Sequence, residues 1–507
     1  MNHRPAKSVC LIILISFLIA LQSGSAQTAA SLKTDVAKEK LVAELERTIP
    51  DLMKKASIPG LTIAVVRDGK LLWTKGFGVK STKTNEPVTE DTIFEAASLT
   101  KPFFAYAAMK MVESGELSLD RPLLEYVPRD TLEKRYIEHS FDLEGFRGDW
   151  FRKITARMVL SHSSGLPHGD PRTPLPIFFE PGTRYRYSAD GYMYLQRVME
   201  HLKGKPLEVI MKELVINPLG MAASSLVWQE RYEKEAAVGH DVLGETDGKF
   251  RKRTQAHAGA TLYTTAKDYA RFVIAMMNDS GLKPETIQEM LRPQIDVSKD
   301  VYWGIGFGLE RTPNGDAFWQ WGDYGIFRNY IVGYKKQKIG LVYLTDSFNG
   351  LSISQDLVRA AIGGDKELGI AYLGYDQHDS PGTSFFKAVL EKGADEAVRL
   401  FPEFRKKQPD EFNEAAINGV GYQLLNIRRY KEAIAVLKLN VDAFPGSANV
   451  YDSLAEAYLN NGDKELAITY YKKALEAVPK DTAADKGRLE RIKMGAEEKL
   501  KELAKKQ

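Results

Sequence analysis

A serine followed three residues later by a lysine is the spacing in this chain that could support nucleophilic chemistry. Ser98 and Lys101 have this spacing within the segment "IFEAASLTKPFFAYAAMKMV". On a helix, residues three positions apart are neighbours, so the ammonium group reaches the hydroxyl. A lysine that is desolvated there is neutral part of the time and can accept the serine proton. The pair therefore predicts acyl transfer through Ser98.

Two other copies of the spacing have less favourable surroundings. Ser280 and Lys283 lie among turn-forming residues, and Ser384 with Lys387 starts a C-terminal helix, where the serine is most simply a helix cap. Ser98 follows an apolar stretch and opens a long apolar helix, so it is expected to be buried at a site. At a helix start, the backbone N–H groups and the helix dipole also point towards incoming negative charge.

The elements that must position this pair occupy residues 40–362. Helical and strand patterns alternate there, with strands at both ends, which predicts an α/β fold with a sheet and a helical subdomain. The predicted strands are residues 61–66, 69–76 and 339–345. The predicted helices are residues 104–115, 192–203 and 266–277.

The C-terminal region has a different, repetitive pattern. Pro445 and Pro479 are 34 residues apart, as are Ala433 and Ala467. This is the spacing of tetratricopeptide repeats, and the second unit has the expected residue type at every signature position. Because about three units are needed to bury a core, residues 384–407 are predicted to form a third helix pair and residues 489–506 a capping helix. We expect a linker at residues 363–382 and an all-α repeat domain at 383–507.

Composition and charge exclude several classes of protein. The chain has 507 residues, of which 44% are hydrophobic and 27% charged, and one cysteine. This composition is typical of globular domains and excludes a disordered or disulfide-stapled chain. The net charge of +3 indicates neither a nucleic-acid-binding protein nor one held on a membrane surface. The eight histidines lack metal-ligand spacing, so neither a metal nor a cofactor is expected.

The first 26 residues have the layout of a secretory signal peptide. A short basic start precedes an apolar run of about a dozen residues, and small residues follow up to Ala26. The alternative is an uncleaved anchor, although the run is short for a membrane span. Cleavage after Ala26 would remove Cys10, and with it thiol catalysis and thiolate metal sites. We therefore expect a periplasmic or secreted protein with no membrane span after cleavage.

Four segments downstream of Ser98 extend this interpretation. They are "ITARMVLSHSSGLPHG" (154–169), "PGTRYRYSADGYMYL" (181–195), "AHAGATLYTTAKDYARFV" (256–273) and "FWQWGDYGIFRNYIVGY" (318–334). In this order they resemble the serine β-lactamase-related family, which comprises class C β-lactamases, DD-peptidases and esterases of one fold. The resemblance covers roughly residues 45–362 and implies the β-lactamase/transpeptidase-like fold.

The resemblance also implies roles for individual residues. Ser98 would be the nucleophile that forms an acyl-enzyme, and Lys101 would hold its hydroxyl and share its proton. Tyr187 matches the tyrosine of the second motif, and whether the lysine or the tyrosine is the base stays open. The oxyanion hole would consist of the backbone N–H groups of Ser98 and of Asp323, which follows Gly322 on an edge strand.

Two positions depart from the family pattern. Ala189 stands where the second motif has asparagine, and Gln320 stands where the third motif has lysine or histidine. Because Gln320 is neutral, it cannot offer a charge to the carboxylate of a penicillin or a D-alanyl peptide. A substrate anion could instead bind Arg328 and Asn329, but a structural role is the simpler interpretation of both.

The sequence thus predicts an exported serine hydrolase that acts on an ester or a small peptide-like amide. β-Lactam or D-alanyl-peptide hydrolysis is the alternative within the enzyme class. A second alternative is an inactive member of the fold that acts as a ligand sensor. In either case the repeats could bind a protein partner along a concave helical surface.

Overall fold

The computed structural model describes residues 30–127, 146–169, 175–365, 367–407, 412–484 and 486–504. The predicted signal peptide at residues 1–26 lies outside these residues. No helix among those described has the length and apolar character needed to cross a bilayer.

An antiparallel sheet of eight strands forms the centre of the N-terminal region. The described part of this region has ten strands, eight in this sheet and two in a separate ribbon: β1 (Gly60–Arg67), β2 (Lys70–Gly78), β3 (Phe94–Glu95), β4 (Tyr263–Thr264), β5 (Ile295–Ser298), β6 (Val301–Trp303), β7 (Gly308–Thr312), β8 (Gly315–Asp323), β9 (Arg328–Tyr334) and β10 (Ile339–Thr345). The sheet has the order β2-β1-β10-β9-β8-β7-β6-β5, and β3 pairs with β4 in a separate ribbon. Strands from both ends of the region therefore meet at β1 and β10, as the α/β pattern requires.

Helices cover both faces of this sheet. The helices of the region are α1 (Lys38–Ala56), α2 (Thr100–Glu113), α3 (Phe146–Lys153), α4 (Ala156–Leu160), α5 (Asp190–Lys203), α6 (Leu207–Met211), α7 (Tyr232–Glu235), α8 (Ala266–Asn278), α9 (Pro284–Met290) and α10 (Ser354–Ile362). Leu61, Ile63 and Val65 of β1 pack with α1 and α10, whereas Ala64 and Val66 pack on the opposite face with α2 and α8. Since successive side chains of a strand alternate between faces, β1 is buried on both faces from Gly60 to Val66.

The predicted strands and helices are confirmed within a few residues. The strands expected at 61–66, 69–76 and 339–345 correspond to β1, β2 and β10. The helices expected at 104–115, 192–203 and 266–277 correspond to α2, α5 and α8. The helix α2 begins four residues earlier than expected, because it continues directly from a 3-10 turn at Ala97–Leu99.

The position of Asp323 in the sheet corrects one expectation. The strand β8 is an interior strand, with β7 on one side and β9 on the other. Its pairing with β7 runs only from Gly315 to Trp319, because β7 is shorter. Beyond Trp319 the strand pairs with β9 alone, so its last residues have one open side although β8 is no edge strand.

Residues 363–382, predicted as a linker, contain a helix that packs on the sheet. This helix, α11 (Leu368–Leu373), lies against β6 and β7. The Gly369 N–H donates to the carboxyl of Glu310 at 2.7 Å, and a Cβ at this glycine would lie 2.4 Å from the Trp319 ring. Only glycine therefore permits this close approach.

The C-terminal region is a series of helices. They are α12 (Pro381–Lys392), α13 (Ala394–Lys407), α14 (Glu414–Asn426), α15 (Tyr430–Ala443), α16 (Ala448–Asn461), α17 (Lys464–Ala477) and α18 (Lys486–Ala504). Gly421 of α14 meets Leu437 of α15, where a Cβ would lie 2.5 Å from the leucine side chain. Asn440, which stands where the repeat usually has a small residue, is buried and donates to the Glu414 carbonyl at 3.1 Å.

Candidate active site

The turn that carries Ser98 is held against the end of β8. Ala97 has a φ of +50°, an uncommon backbone conformation for a residue with a side chain. A Cβ at Gly322 would lie 2.2 Å from the Ala96 carbonyl oxygen, so this glycine allows the strand to approach the turn. Thr100 closes the turn by donating from its hydroxyl to the Ala97 carbonyl at 2.7 Å. The result is a tight bend that leaves Ser98 half-buried at the start of α2.

Lys101 lies next to the Ser98 hydroxyl, as the spacing predicts. Its Nζ is 3.0 Å from Ser98 Oγ and donates to the Gly259 carbonyl at 2.8 Å. The same nitrogen lies 4.8 Å from the ring centre of Tyr187 and 5.6 Å from that of Tyr192. The lysine is 1% exposed, and burial lowers its pKa to about 7. A substantial fraction is therefore neutral near neutral pH and able to accept a proton.

Tyr187 completes a cluster with the serine and the lysine. Burial raises the pKa of the Tyr187 phenol, while hydrogen bonds with Ser98 and from Gln320 lower it by less. The Gln320 side-chain amide donates to the phenol oxygen at 3.0 Å. The phenol thus stays protonated at neutral pH.

Gln320 is fully buried beneath this cluster. Besides Tyr187, its amide Nε2 contacts the Ser98 carbonyl at 3.3 Å and the Trp321 carbonyl at 3.0 Å. Its Oε1 has no hydrogen-bond partner within the described part of the chain. The residue therefore connects β8 to the turn and to Tyr187, and it brings no charge. Ala189 precedes the first residue of α5, and its methyl group offers no hydrogen bond.

The backbone N–H of Asp323 points to the open side of β8. Tyr324 donates its N–H to the Phe327 carbonyl at 3.0 Å, and Gly322 and Asp323 stand opposite Asn329 and Arg328. Hydrogen-bonded and non-hydrogen-bonded pairs alternate along an antiparallel ladder, so the N–H of Asp323 is directed away from β9. The turn at Ala97–Leu99 packs against β8, so an N–H on the open side of this strand could serve as an oxyanion donor.

The structure also brings in residues that the sequence did not single out. The Gly259 carbonyl accepts a hydrogen bond from Lys101. The only sequence signal for this contact is that Gly259 lies between two alanines, where small residues allow the backbone to approach closely. Burial and the nearby Lys101 lower the pKa of His257 and of His168 to about 4 each. Both are therefore neutral at pH 7 and add no charge to the cleft.

Arg328 and Asn329, for which the sequence left a structural and a functional role open, have structural contacts, and so does His162. His162 accepts a hydrogen bond from the Ser188 N–H at 3.1 Å, and its ring packs on Tyr187 at 4.2 Å. Asn329 donates to the Glu95 carbonyl at 2.9 Å and accepts from the backbone of β10 at 3.0 Å. Arg328 is paired with Asp323 at 3.2 Å. In the described residues, no group of three or more His, Cys, Asp or Glu is arranged to hold a metal ion.

Comparison with known proteins identifies the family of this chain. A sequence model of the β-lactamase family matches residues 45–362, and a tetratricopeptide-repeat model matches residues 448–481. The first match covers more than half of the chain, so the protein belongs to the β-lactamase family of serine hydrolases and carries a C-terminal tetratricopeptide repeat.

Relatives of this chain differ in their named activities. Esterase EstB of Burkholderia gladioli is 27% identical over 365 residues, which are 62% of this chain and 92% of the esterase. A D-aminopeptidase of Gluconobacter oxydans is 22% identical over 386 residues, 71% of this chain and 68% of that protein. The structure of a class C β-lactamase superposes with a TM-score of 0.54 at 20% identity, over 64% of this chain and 97% of that chain. This last likeness establishes the fold.

Proposed function

We propose that this protein is an exported hydrolase that cleaves an ester, or a small peptide-like amide, through an acyl-enzyme on Ser98. The observation that carries the proposal is the 3.0 Å contact between Ser98 Oγ and Lys101 Nζ. The lysine there is fully desolvated, with a pKa of about 7. A base whose pKa matches the working pH is what general-base activation of a serine requires.

Acylation begins when neutral Lys101 takes the proton of the Ser98 hydroxyl. The oxygen attacks the substrate carbonyl carbon, a C–O bond forms, and the carbonyl electron pair moves onto the carbonyl oxygen. The N–H groups of Ser98 and Asp323 stabilise this oxyanion. Because the two donors belong to a tight turn and a strand end in contact, no reorganisation is needed as the charge develops.

The tetrahedral intermediate then collapses to the acyl-enzyme. The carbonyl reforms, the bond to the leaving alcohol or amine breaks, and the leaving group takes the proton that Lys101 had accepted. Tyr187 relays this proton, because burial keeps its phenol protonated and its ring centre lies 4.8 Å from Lys101 Nζ. Water enters by the reverse sequence, giving the acid and free Ser98. In this scheme Lys101 is the base and Tyr187 the relay.

The neutral Gln320 supports an ester over a β-lactam or a D-alanyl peptide. Its buried amide contacts Tyr187 and offers no positive charge to a substrate carboxylate. Loss of one charge-assisted hydrogen bond is worth roughly 1.5–3 kcal/mol. An ester without a carboxylate does not incur this loss. That a curated relative is named an esterase agrees with this choice.

The proposal is tested by covalent labelling and a substrate panel. The mature protein is treated with a fluorophosphonate probe and its intact mass measured, with Ser98→Ala and Ser384→Ala in parallel. One adduct on the wild type and on Ser384→Ala, absent from Ser98→Ala, is expected. An unlabelled but folded wild type would contradict a hydrolase and favour the ligand-sensor alternative.

The panel contains p-nitrophenyl acetate and butyrate, nitrocefin, and a D-alanyl-D-alanine peptide. We expect turnover of the esters to exceed that of the other two. We also expect Gln320→Lys to shift the ratio of nitrocefin to ester turnover upwards, because it adds a charge near a substrate carboxylate. Efficient nitrocefin hydrolysis by the wild type would contradict the preference for esters.

Export and partner binding complete the proposal. The signal-like residues 1–26 support export to the periplasm or beyond, which N-terminal sequencing of protein from cell fractions would test. A tetratricopeptide repeat is a protein-interaction module, so we propose a protein partner for residues 383–507. We expect a partner protein to co-purify with the full-length chain. Deletion of residues 383–507 should abolish this co-purification and leave hydrolysis unchanged. Insoluble truncated protein would instead indicate that the repeats pack on the hydrolase domain.

A further inference from the structure

The proposed oxyanion hole contains an electrostatic conflict. The residue that supplies the second N–H donor, Asp323, also carries a carboxylate, with 23% of its side chain exposed. A carboxylate close to a developing oxyanion repels it, and the partly buried surroundings weaken the screening by solvent. Catalysis on Ser98 therefore requires that this carboxylate be turned away from the substrate and its charge balanced.

Side chains of a strand alternate between faces, so the Asp323 carboxylate lies on the opposite face of β8 from Gln320, whose amide contacts the Ser98 carbonyl. Three groups hold it there. The Gly325 N–H donates to Oδ1 at 2.6 Å, and the Tyr375 hydroxyl donates to Oδ2 at 2.6 Å. The Arg328 guanidinium lies 3.2 Å from Oδ2 and 5.0 Å from the centre of the Tyr375 ring. Gly325 and Arg328 belong to the turn after β8 and to β9, within the family domain. Tyr375 does not.

Tyr375 comes from the segment that follows the family domain, which ends at residue 362 in the family match. Two contacts fix this segment on the sheet: the Gly369 N–H donates to Glu310 at 2.7 Å, and the Tyr334 hydroxyl donates to Glu367 at 3.0 Å. From α11 the chain leads directly to Tyr375, two residues after the helix ends at Leu373. Burial raises the pKa of this phenol, so it remains a donor at neutral pH.

We propose that Tyr375 is a positioning residue for the hydrolytic reaction: its hydroxyl holds the Asp323 carboxylate away from the oxyanion and so fixes the end of β8. The inference rests on the proposed function, because the N–H of Asp323 matters only if an oxyanion forms there. It makes the active site depend on residues beyond the family domain. The segment between the hydrolase and repeat domains then contributes to catalysis as well as connecting them.

The test uses full-length protein and the substitution Tyr375→Phe, which removes the hydroxyl and keeps the ring. We expect kcat to fall about tenfold with little change in KM, since a donor displaced by a fraction of an ångström weakens stabilisation of the transition state. A boronic acid forms a tetrahedral adduct on a serine, and its affinity should fall by the same factor. Tyr451→Phe is the matched control, because the Tyr451 hydroxyl donates to the Pro445 carbonyl at 3.0 Å on the repeat surface.

Two further measurements separate positioning from a general structural effect. Titration with the fluorophosphonate probe should show the same fraction of active sites in Tyr375→Phe as in the wild type, with a similar melting temperature. The second is a double-mutant cycle with Asp323→Asn, which removes the charge that Tyr375 controls. In that background we expect Tyr375→Phe to lower kcat by less than about threefold, because only a neutral hydrogen bond is then lost.

Each outcome decides the inference. If the wild type labels and hydrolyses but Tyr375→Phe matches it, the inference is overturned while the proposed function stands. The inference is equally overturned if the fall in kcat of Tyr375→Phe equals the fall in its fraction of titratable active sites. It is also overturned if Tyr375→Phe lowers kcat by the same factor in the Asp323→Asn background as in the wild type. If the wild type neither labels nor hydrolyses, the proposed function fails and the inference fails with it.

Discussion

Two regions of this molecule carry a serine and a lysine three residues apart, with opposite consequences. At the start of α2, Lys101 is 1% exposed, and its Nζ lies 3.0 Å from Ser98 Oγ. In α12, Ser384 is exposed, and Lys387 donates to the Lys55 carbonyl at 2.9 Å. The first pair faces each other in a desolvated cleft, whereas the second lysine connects the C-terminal helix α12 to α1.

The difference shows what spacing can and cannot supply. A separation of three residues on a helix gives the lysine the reach to meet the serine in both places. Burial between Tyr187, Tyr192 and the Gly259 carbonyl is what lowers the pKa of Lys101 to about 7. The proposed reactivity of Ser98 therefore depends on the groups that bury Lys101, and spacing alone does not supply it.

The largest expected difference in hydrolysis is between substitutions of the two serines. Ser98→Ala should lower kcat/KM for an ester by at least about 10³-fold, because the covalent route is lost. Ser384→Ala should leave kcat/KM within about twofold, since it lies far from the proposed chemistry. Steady-state hydrolysis of p-nitrophenyl butyrate measures both. Comparable activity of the two variants would remove the distinction between the regions.

The next largest expected difference in hydrolysis is between substitutions of the two lysines. Lys101→Met should lower kcat/KM by about 10²–10⁴-fold through loss of the general base, and Lys387→Met should have little effect. In the wild type, kcat/KM should rise with pH through an apparent pKa of about 7, as Lys101 loses its proton. A rate independent of pH between 5 and 9 would argue against Lys101 as the base.

The same lysine substitution should change stability in the opposite direction. The pKa of Lys101 is about 7 in the folded protein against 10.5 for an ordinary lysine, so the unfolded chain binds its proton more tightly. Between these values, the free energy of unfolding rises with pH, and at pH 7 the buried lysine is destabilising. Lys101→Met should therefore raise the melting temperature by about 5 °C. Lys387→Met is the control, and a lower melting temperature for Lys101→Met would contradict burial as the cause.

The smallest expected effect concerns two acids, one buried and one exposed. Burial raises the pKa of Glu367, as does its hydrogen bond with Glu310, so the folded state binds this proton more tightly. That contribution to stability is complete in acid and is lost as pH rises through the raised pKa. Glu367→Gln should flatten the decline of the melting temperature as the pH rises above the ordinary glutamate pKa of 4.5.

Glu396 in the repeat region provides the contrast. Its hydrogen bond with Arg399 lowers its pKa, so its contribution is present at neutral pH and is lost in acid. Glu396→Gln should leave the alkaline side of the curve unchanged. The melting temperature of each variant is measured by thermal unfolding at each pH. If the melting temperature of Glu367→Gln falls with pH as steeply as that of the wild type, the Glu310–Glu367 pair does not control this fall.

Local patterns predicted much of the fold and the centre of the site. The apolar runs of β1 and β10, the helix that starts near Ser98 and the period of the repeats all depend on residues close in sequence, where spacing determines which side chains share a face. The pair Ser98 and Lys101 could be proposed for the same reason. Tyr187 needed its motif, because several tyrosines surround it.

Contacts between distant segments were beyond the reach of these patterns. The Gly259 carbonyl meets Lys101 across 158 residues, and the Tyr375 hydroxyl meets Asp323 across 52. The segment predicted as a linker contains the helix α11, whose packing depends on Trp319 and Glu310 and could not be predicted from the turn-forming residues around it. Similarly, β8 has an open side near Asp323 only because β7 ends early.

The sequence by itself thus determined the elements, the repeat and the spacing that lets one lysine reach one serine. These depend on local geometry and on the separation of apolar from polar residues. Tertiary structure decided which of the S-x-x-K pairs is desolvated, which N–H faces it and which phenol holds the Asp323 carboxylate. Those properties depend on the distances and solvent exclusion that arise when segments far apart in the chain pack together.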